Sequence, residues 1–290
     1  MSISHQLGEE QRVDIPAGTI GYRSCGNGSP IVFVHGVGVN GDLWRSVVPR
    51  LATGHRCITP DLPWGSHSIP LKPDADLSLP GMARITADFL EALDLDDVTI
   101  VANDTGGAVA QALVGQHPER IARLVLTSCD AFEKFPPTPQ KYLEVAARSR
   151  LLTWVVAYTA KFKVIQRLPT AYGFVTSRPM PPDIMRSFTD PIRLTAGVRR
   201  DFRRMLRAVD TKYTFEAAAR LTGFDKPALV LWAEDDKIFP REHGRRLAEL
   251  LPQGDFALIA NSRTFIPEDQ PALLAAAIEN FLAAQETRPE

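Results

Sequence analysis

The residues with the most chemistry in reach form the run Ala102-Asn103-Asp104-Thr105-Gly106. An apolar, β-branched stretch, "DVTIVAND", leads into it, and a helical pattern from Thr105 to Gln116 leaves it. Asp104 therefore stands where a strand becomes a helix, with small residues on both sides, as a crowded and strained turn demands. A carboxylate needs no deprotonation at neutral pH. It can attack an sp³ carbon bearing an epoxide oxygen or a halide and form an alkyl ester on the protein. An aspartate here could also cap the helix, but capping does not call for small residues on both flanks.

The elements that must position Asp104 are legible as alternating patterns. "GTIGYRS", "PIVFVHG", "RCITPDL", "DVTIVAND", "IARLVLTSC", "PALVLWAEDD" and "DFALIANS" are strand-like, and helices are expected over 105–116, 242–251 and 271–284. Continuous apolar strands alternating with helices imply a mostly parallel sheet covered on both faces. Function in such sheets sits at the carboxyl ends of the strands, where the loops converge. Between "IARLVLTSC" and "PALVLWAEDD" lies a segment of different character. Residues 131–222 carry 17 Lys and Arg against 7 Asp and Glu, and the rest of the chain carries 16 against 27. Such a shift marks an insert, expected to be helical. "PIRLTAGVRRDFRRMLRAVD" sets Leu194, Val198, Phe202, Leu206 and Val209 on one face and Arg200, Arg203, Arg204 and Arg207 largely on the other.

Composition bounds the partners. The 290 residues are 44% hydrophobic with a net charge of −1, enough for one large core plus an insert and not a signature of nucleic-acid binding. Cys25, Cys57 and Cys129 cannot all pair, which points to a reducing, cytoplasmic setting. The polar N-terminus lacks a signal-peptide pattern, and no apolar stretch suits stable membrane insertion. No metal-ligand spacing and no phosphate loop occur, so no cofactor is expected. The expected partner is a small-molecule substrate, with a homodimer left open.

"HGVGVNGDLW", "DLPWGS", "ANDTGGAVAQ", "LWAEDDKIFP" and "TFIPEDQP" occur in the order of the α/β-hydrolase fold. Over nearly its whole length the chain resembles the capped branch of epoxide hydrolases and haloalkane dehalogenases. The resemblance implies a mostly parallel eight-stranded sheet, a core from 1–130 and 223–290, and a helical cap over 131–222. It implies Asp104 as nucleophile, with the backbone N–H groups of Val37 and Thr105 as an oxyanion hole. Asp236 matches the family's acid, and Asp130 occupies the alternative acid position. Dehalogenases carry Asn and Trp halide donors where this chain has Val37 and Thr105, which disfavours dehalogenation. Epoxide hydrolases use cap tyrosines on the ring oxygen, and Tyr142, Tyr158, Tyr172 and Tyr213 are the candidates. Trp154, Phe174 and Phe188, with His35 and Phe265 flanking the motifs, are further candidates for the substrate's surroundings, although His35 is better suited to holding its turn.

The family's histidine should precede an aromatic residue, seven positions ahead of Pro271. That position is Thr264, followed by Phe265. Thr has no basic group in the working range. Hydrolysis of an alkyl ester needs an activated water, and general base catalysis is worth ~10²–10⁴-fold. Of the six histidines, His67 alone lies on a loop at the catalytic end, where a surface position is expected. Three outcomes stay open: an epoxide-hydrolase-like enzyme with another base, a lyase, isomerase or cyclase using Asp104 as general acid or base, or a small-molecule binding protein.

Overall fold

A computed structural model describes residues 4–137 and 140–286. Its eight-stranded sheet runs in the order β1-β2-β4-β3-β5-β6-β7-β8. The strands are β1 (Glu10–Ile15), β2 (Gly18–Cys25), β3 (Ser29–Val34), β4 (His55–Pro60), β5 (Val98–Asp104), β6 (Ile121–Cys129), β7 (Ala228–Ala233) and β8 (Gly254–Ile259). β2 pairs antiparallel with β1 and β4, and every other pairing is parallel. The parallel strands β3, β5, β6 and β7 are almost wholly buried, as strands covered on both faces must be. The expected fold class is thus present. β1 has no counterpart among the runs read from sequence, because it is a mostly exposed edge strand whose residues "EQRVDI" lack an apolar run.

The core helices are α1 (Val48–Leu51), α2 (Leu79–Ala92) and α3 (Thr105–Gln116) before the insert. The insert holds α4 (Tyr142–Ala147), α5 (Arg150–Thr159), α6 (Lys163–Gln166), α7 (Pro182–Leu194), α8 (Ala196–Arg207) and α9 (Thr211–Arg220). Then come α10 (Arg241–Leu250), α11 (Ile266–Asp269) and α12 (Pro271–Glu286). α9 packs on α3, α2 and α10, and Thr214 Oγ1 donates to the Phe132 carbonyl. It therefore sits against the core, inside the 131–222 range that the sequence assigned to the cap. The rest of the insert is tied down through Asn40, which donates to Ser187 of α7, and through Ser66, which donates to the Phe188 carbonyl at 2.6 Å.

The arginine-rich segment differs from the single helix expected over 193–210. Thr195 is extended, with φ −108° and ψ 115°, and breaks it into α7 and α8. Val198, Phe202 and Leu206 are buried as expected, whereas Leu194, stranded at the break, is exposed.

Candidate active site

Asp104 lies at the carboxyl end of β5 with φ 56° and ψ −133°, a conformation that costs a non-glycine residue about 1–3 kcal/mol. Its neighbours make room for it. A Cβ on Gly36 would fall 2.4 Å from Asp104 Oδ1, and one on Gly106 would fall 2.5 Å from the Val34 and His35 carbonyl oxygens. The small residue two places after Asp104 is thus required where the turn presses on the end of β3.

The carboxylate of Asp104 is asymmetric. Oδ1 accepts from the Thr105 backbone N–H at 2.7 Å and lies 3.1 Å from the Thr105 hydroxyl. The Val37 N–H lies close enough to help hold the carboxylate's pKa down, while Oδ2 accepts from no side chain among the described residues. Burial raises the Asp104 pKa to about 6, offset in part by the Thr105 and Val37 hydrogen bonds and reinforced by the charge of Asp236.

The Thr105 hydroxyl touches a second carboxyl. It lies 2.8 Å from Asp130 Oδ2, and Asp130 is fully buried just after β6. One hydroxyl carries one proton and can donate to only one of two carboxylates. The other contact requires a protonated carboxyl. Burial first, and then the charge of Asp104, hold the Asp130 pKa well above the carboxylate range. One of the two carboxyls, Asp104 or Asp130, therefore carries a proton, and the Thr105 hydroxyl joins the pair.

Asp236, after β7, accepts from the backbone N–H groups of Ile238 (2.8 Å) and Phe239 (2.9 Å) through Oδ1. The Thr264 hydroxyl donates to the same oxygen at 2.9 Å. Burial raises the Asp236 pKa, against the pull of those donors. Thr264 is itself fully buried, and its carbonyl accepts from Asn103 Nδ2 at 2.8 Å. Its loop is pinned further by Phe265 N–H to the Val175 carbonyl (2.7 Å) and by Asp269, which accepts from Ser177 and Arg263. Glu268 pairs with Arg45. The acidic residues of "TFIPEDQP" thus join this loop to the cap and to the core.

A cavity of about 280 Å³ lies between the insert and the carboxyl ends of the strands, with Asp104, Val37 and Thr105 among the core residues that line it. Its walls are mostly apolar, including Phe135, Phe188, Phe202, Leu206, Ile238 and Phe265. The strand order, the strained turn and the capped cavity together form one arrangement, and the α/β-hydrolase fold model matches residues 29–271.

The chain belongs to the α/β-hydrolase fold family.

Among its relatives, a 2-hydroxymuconate semialdehyde hydrolase of Pseudomonas is 28% identical, over 89% of this chain and 88% of that protein. A cis-3-alkyl-4-alkyloxetan-2-one decarboxylase of Shewanella oneidensis is 26% identical, over 92% and 86%. The structure of a putative ancestral haloalkane dehalogenase superposes with a TM-score of 0.77 at 20% identity, covering 96% of this chain and all of that one. Its likeness concerns the fold.

Within this α/β-hydrolase fold, the residues singled out from sequence separate clearly. Tyr142, Tyr172 and Phe265 line the cavity; Trp154, Tyr158 and Tyr213 do not. Trp154 and Tyr158 are instead exposed at 45% and 39%, on the outer face of α5, and Tyr213 packs on the core. Phe174 is likewise packed on the core, while Phe188 reaches the cavity. The two lining tyrosines already donate their hydroxyl protons to backbone carbonyls, Tyr172 to Gly38 at 2.7 Å and Tyr142 to Thr170 at 3.3 Å. Burial also raises the Tyr172 pKa, which makes it a weaker acid.

His35 is outside the cavity lining. Its Nε2 accepts from the Leu62 N–H at 2.8 Å, and its Nδ1–H donates to the Gly36 carbonyl at 2.8 Å. Burial lowers its pKa to about 3, so the ring is neutral and holds the turn. His67 is not at the surface as expected. It is buried, with Nε2 3.4 Å from Asp201 of α8. Among the described residues, no histidine ring nitrogen bonds Asp104 or Asp236. Asn103 was passed over in the sequence. Its place beside Asp104 was the available signal, since a polar residue buried in a central strand must find partners.

Proposed function

We propose that this α/β-hydrolase-family protein acts on a small apolar or aromatic molecule through Asp104. Oδ2 attacks an sp³ carbon of a strained oxygen ring, of the epoxide type. The carbon–oxygen bond of the ring breaks, its electron pair stays on the oxygen, which takes up a proton, and an alkyl ester joins the substrate to Asp104. The observation that carries this reading is the asymmetry of Asp104, with one oxygen engaged by Thr105 and the other free of side-chain donors in an apolar cavity. Thr264 in place of a base leaves the ester to hydrolyse slowly.

A second reading is favoured by the tied tyrosine hydroxyls, which are poorly placed to protonate a leaving ring oxygen. In it Asp104 transfers a proton in an elimination, isomerisation or cyclisation. Its pKa of about 6 suits that work near neutral pH, and the decarboxylase relative carries a name outside hydrolysis.

Intact-mass spectrometry after incubation with racemic styrene oxide separates the two. The first reading expects a stable adduct of one epoxide per chain, lost in Asp104→Asn, with slow diol release. With a panel of such epoxides, neither adduct nor diol would overturn it and leave the second.

A further inference from the structure

The outer face of the cap is apolar, aromatic and cationic at once. Trp154, Tyr158 and Phe162 follow one another at four-residue spacing along α5 and the turn after it. Trp154 stacks on Tyr158 at 5.1 Å, and Phe162 meets Tyr158 edge-on at 6.3 Å. Leu151 and Val164 beside them are 68% and 74% exposed. Lys161 Nζ sits 3.9 Å from the centre of the Tyr158 ring. A row of this kind exceeds the scattered apolar residues of an ordinary surface and marks an interaction site.

The charge of the segment that carries the row has one sign. Residues 145–182 contain Arg148, Arg150, Lys161, Lys163, Arg167 and Arg178 and no Asp or Glu, and all six are exposed. α8 extends the field. Three of its arginines are committed: Arg199, Arg200 and Arg204 donate to backbone carbonyls. Among the described residues Arg203 and Arg207 pair with no carboxylate, and Arg203 lies within electrostatic reach of Arg150 and Arg207. Of the neighbouring acids on α7, Asp190 is taken by Arg193 at 2.8 Å. The arginines thus do not line the cavity, as steering of a substrate would require; they flank the aromatic row.

We infer that this face docks the protein on an anionic lipid surface, with the Trp154–Tyr158–Phe162 row entering the headgroup region and the cations meeting lipid phosphates. Aromatic rings with a polar edge and long cationic side chains are what that interface accepts. A second copy fits poorly, because two such faces would meet cation to cation. Among the described residues no helix is long and apolar enough to cross a membrane, and the contact inferred here is a surface one. The opposite side of α5, with Val156 and Ala157, and Ala160 just past its end line the cavity, so an apolar molecule dissolved in lipid would have a short path to Asp104. The docking itself does not depend on the reaction proposed above.

The test is flotation of the full chain with phosphatidylcholine vesicles, either pure or with phosphatidylglycerol at roughly a third of the lipid. Trp44, Trp64 and Trp232 are fully buried, so a change in tryptophan emission reports Trp154. The expected result is flotation with the anionic vesicles only, weakened by salt, with a blue-shifted emission quenched by brominated acyl chains. Trp154→Glu/Phe162→Glu should abolish it. Arg150→Gln or Lys161→Gln should each weaken it about fivefold. These positions are exposed, and circular dichroism verifies that the variants fold. Absence of flotation, or equal flotation with neutral vesicles in wild type and the double variant, overturns the inference. So does a dimer seen by light scattering that the double variant dissolves, if that dimer ignores vesicles.

Discussion

The Thr264 hydroxyl donates to Asp236 Oδ1 at 2.9 Å, so the acid at the end of β7 orients a hydroxyl at the position that leads into α11. A threonine hydroxyl has no basic group in the working range, and among the described residues no histidine ring nitrogen bonds Asp104 or Asp236.

Thr264→His should shorten the life of a styrene-oxide adduct by ~10²-fold or more, the usual worth of a general base. Single-turnover mass spectrometry measures the decay. An unchanged lifetime in a folded variant would mean that the water site is missing as well.

Alkylation of Asp104 should follow its ionised form. With a pKa of about 6, the rate should be near its plateau at pH 8, half-maximal near pH 6, and about tenfold lower for each further unit of acid. A rate that stays flat from pH 8 to pH 5 would contradict this.

Asp104→Asn should stabilise the fold at pH 8 while abolishing the adduct. The folded pKa stands above the ordinary value of 3.8, so the native state holds its proton more tightly than the unfolded chain. Stability is therefore lost as pH rises from about 4 to about 6. Removing the charge should return about 2–3 kcal/mol at pH 8 and little at pH 4. Urea denaturation at the two pH values tests it.

Thr105→Val removes the hydroxyl between Asp104 and Asp130. It should cost about 1–3 kcal/mol by leaving a buried carboxyl without its partner. It should also raise the apparent pKa of alkylation, because the side-chain hydrogen bond that lowers it is gone. Thr105→Ser should behave as wild type in both measurements.

Gly36→Ala should disable the site, since its Cβ would stand 2.4 Å from Asp104 Oδ1 and either the turn or the carboxylate must shift. Loss of adduct formation in a variant that still folds is the expected outcome; full alkylation would show that the turn yields.

The sequence by itself determined what local pattern encodes. The apolar runs of β3, β5, β6 and β7 set the sheet, because a strand buried on both faces must be continuously apolar. The junction of β5 and α3 located Asp104, and the spacing to Pro271 located Thr264. The tertiary structure alone decided which distant groups meet. Thr105 and Asp130 are 25 residues apart, Thr264 and Asp236 are 28 apart, and His67 and Asp201 are 134 apart. The sequence offers Tyr142, Tyr158, Tyr172 and Tyr213 on equal terms, but only the packing of the insert turns Tyr172 to the cavity and leaves Tyr158 outside. Likewise, arginines on one polar helix face look alike in sequence. Carbonyls from the end of α7 engage Arg199, and carbonyls of the loop between β4 and α2 engage Arg200 and Arg204, while Arg203 and Arg207 pair with no carboxylate among the described residues, because hydrogen-bond partners are set by how elements pack and not by the helix that carries the donor.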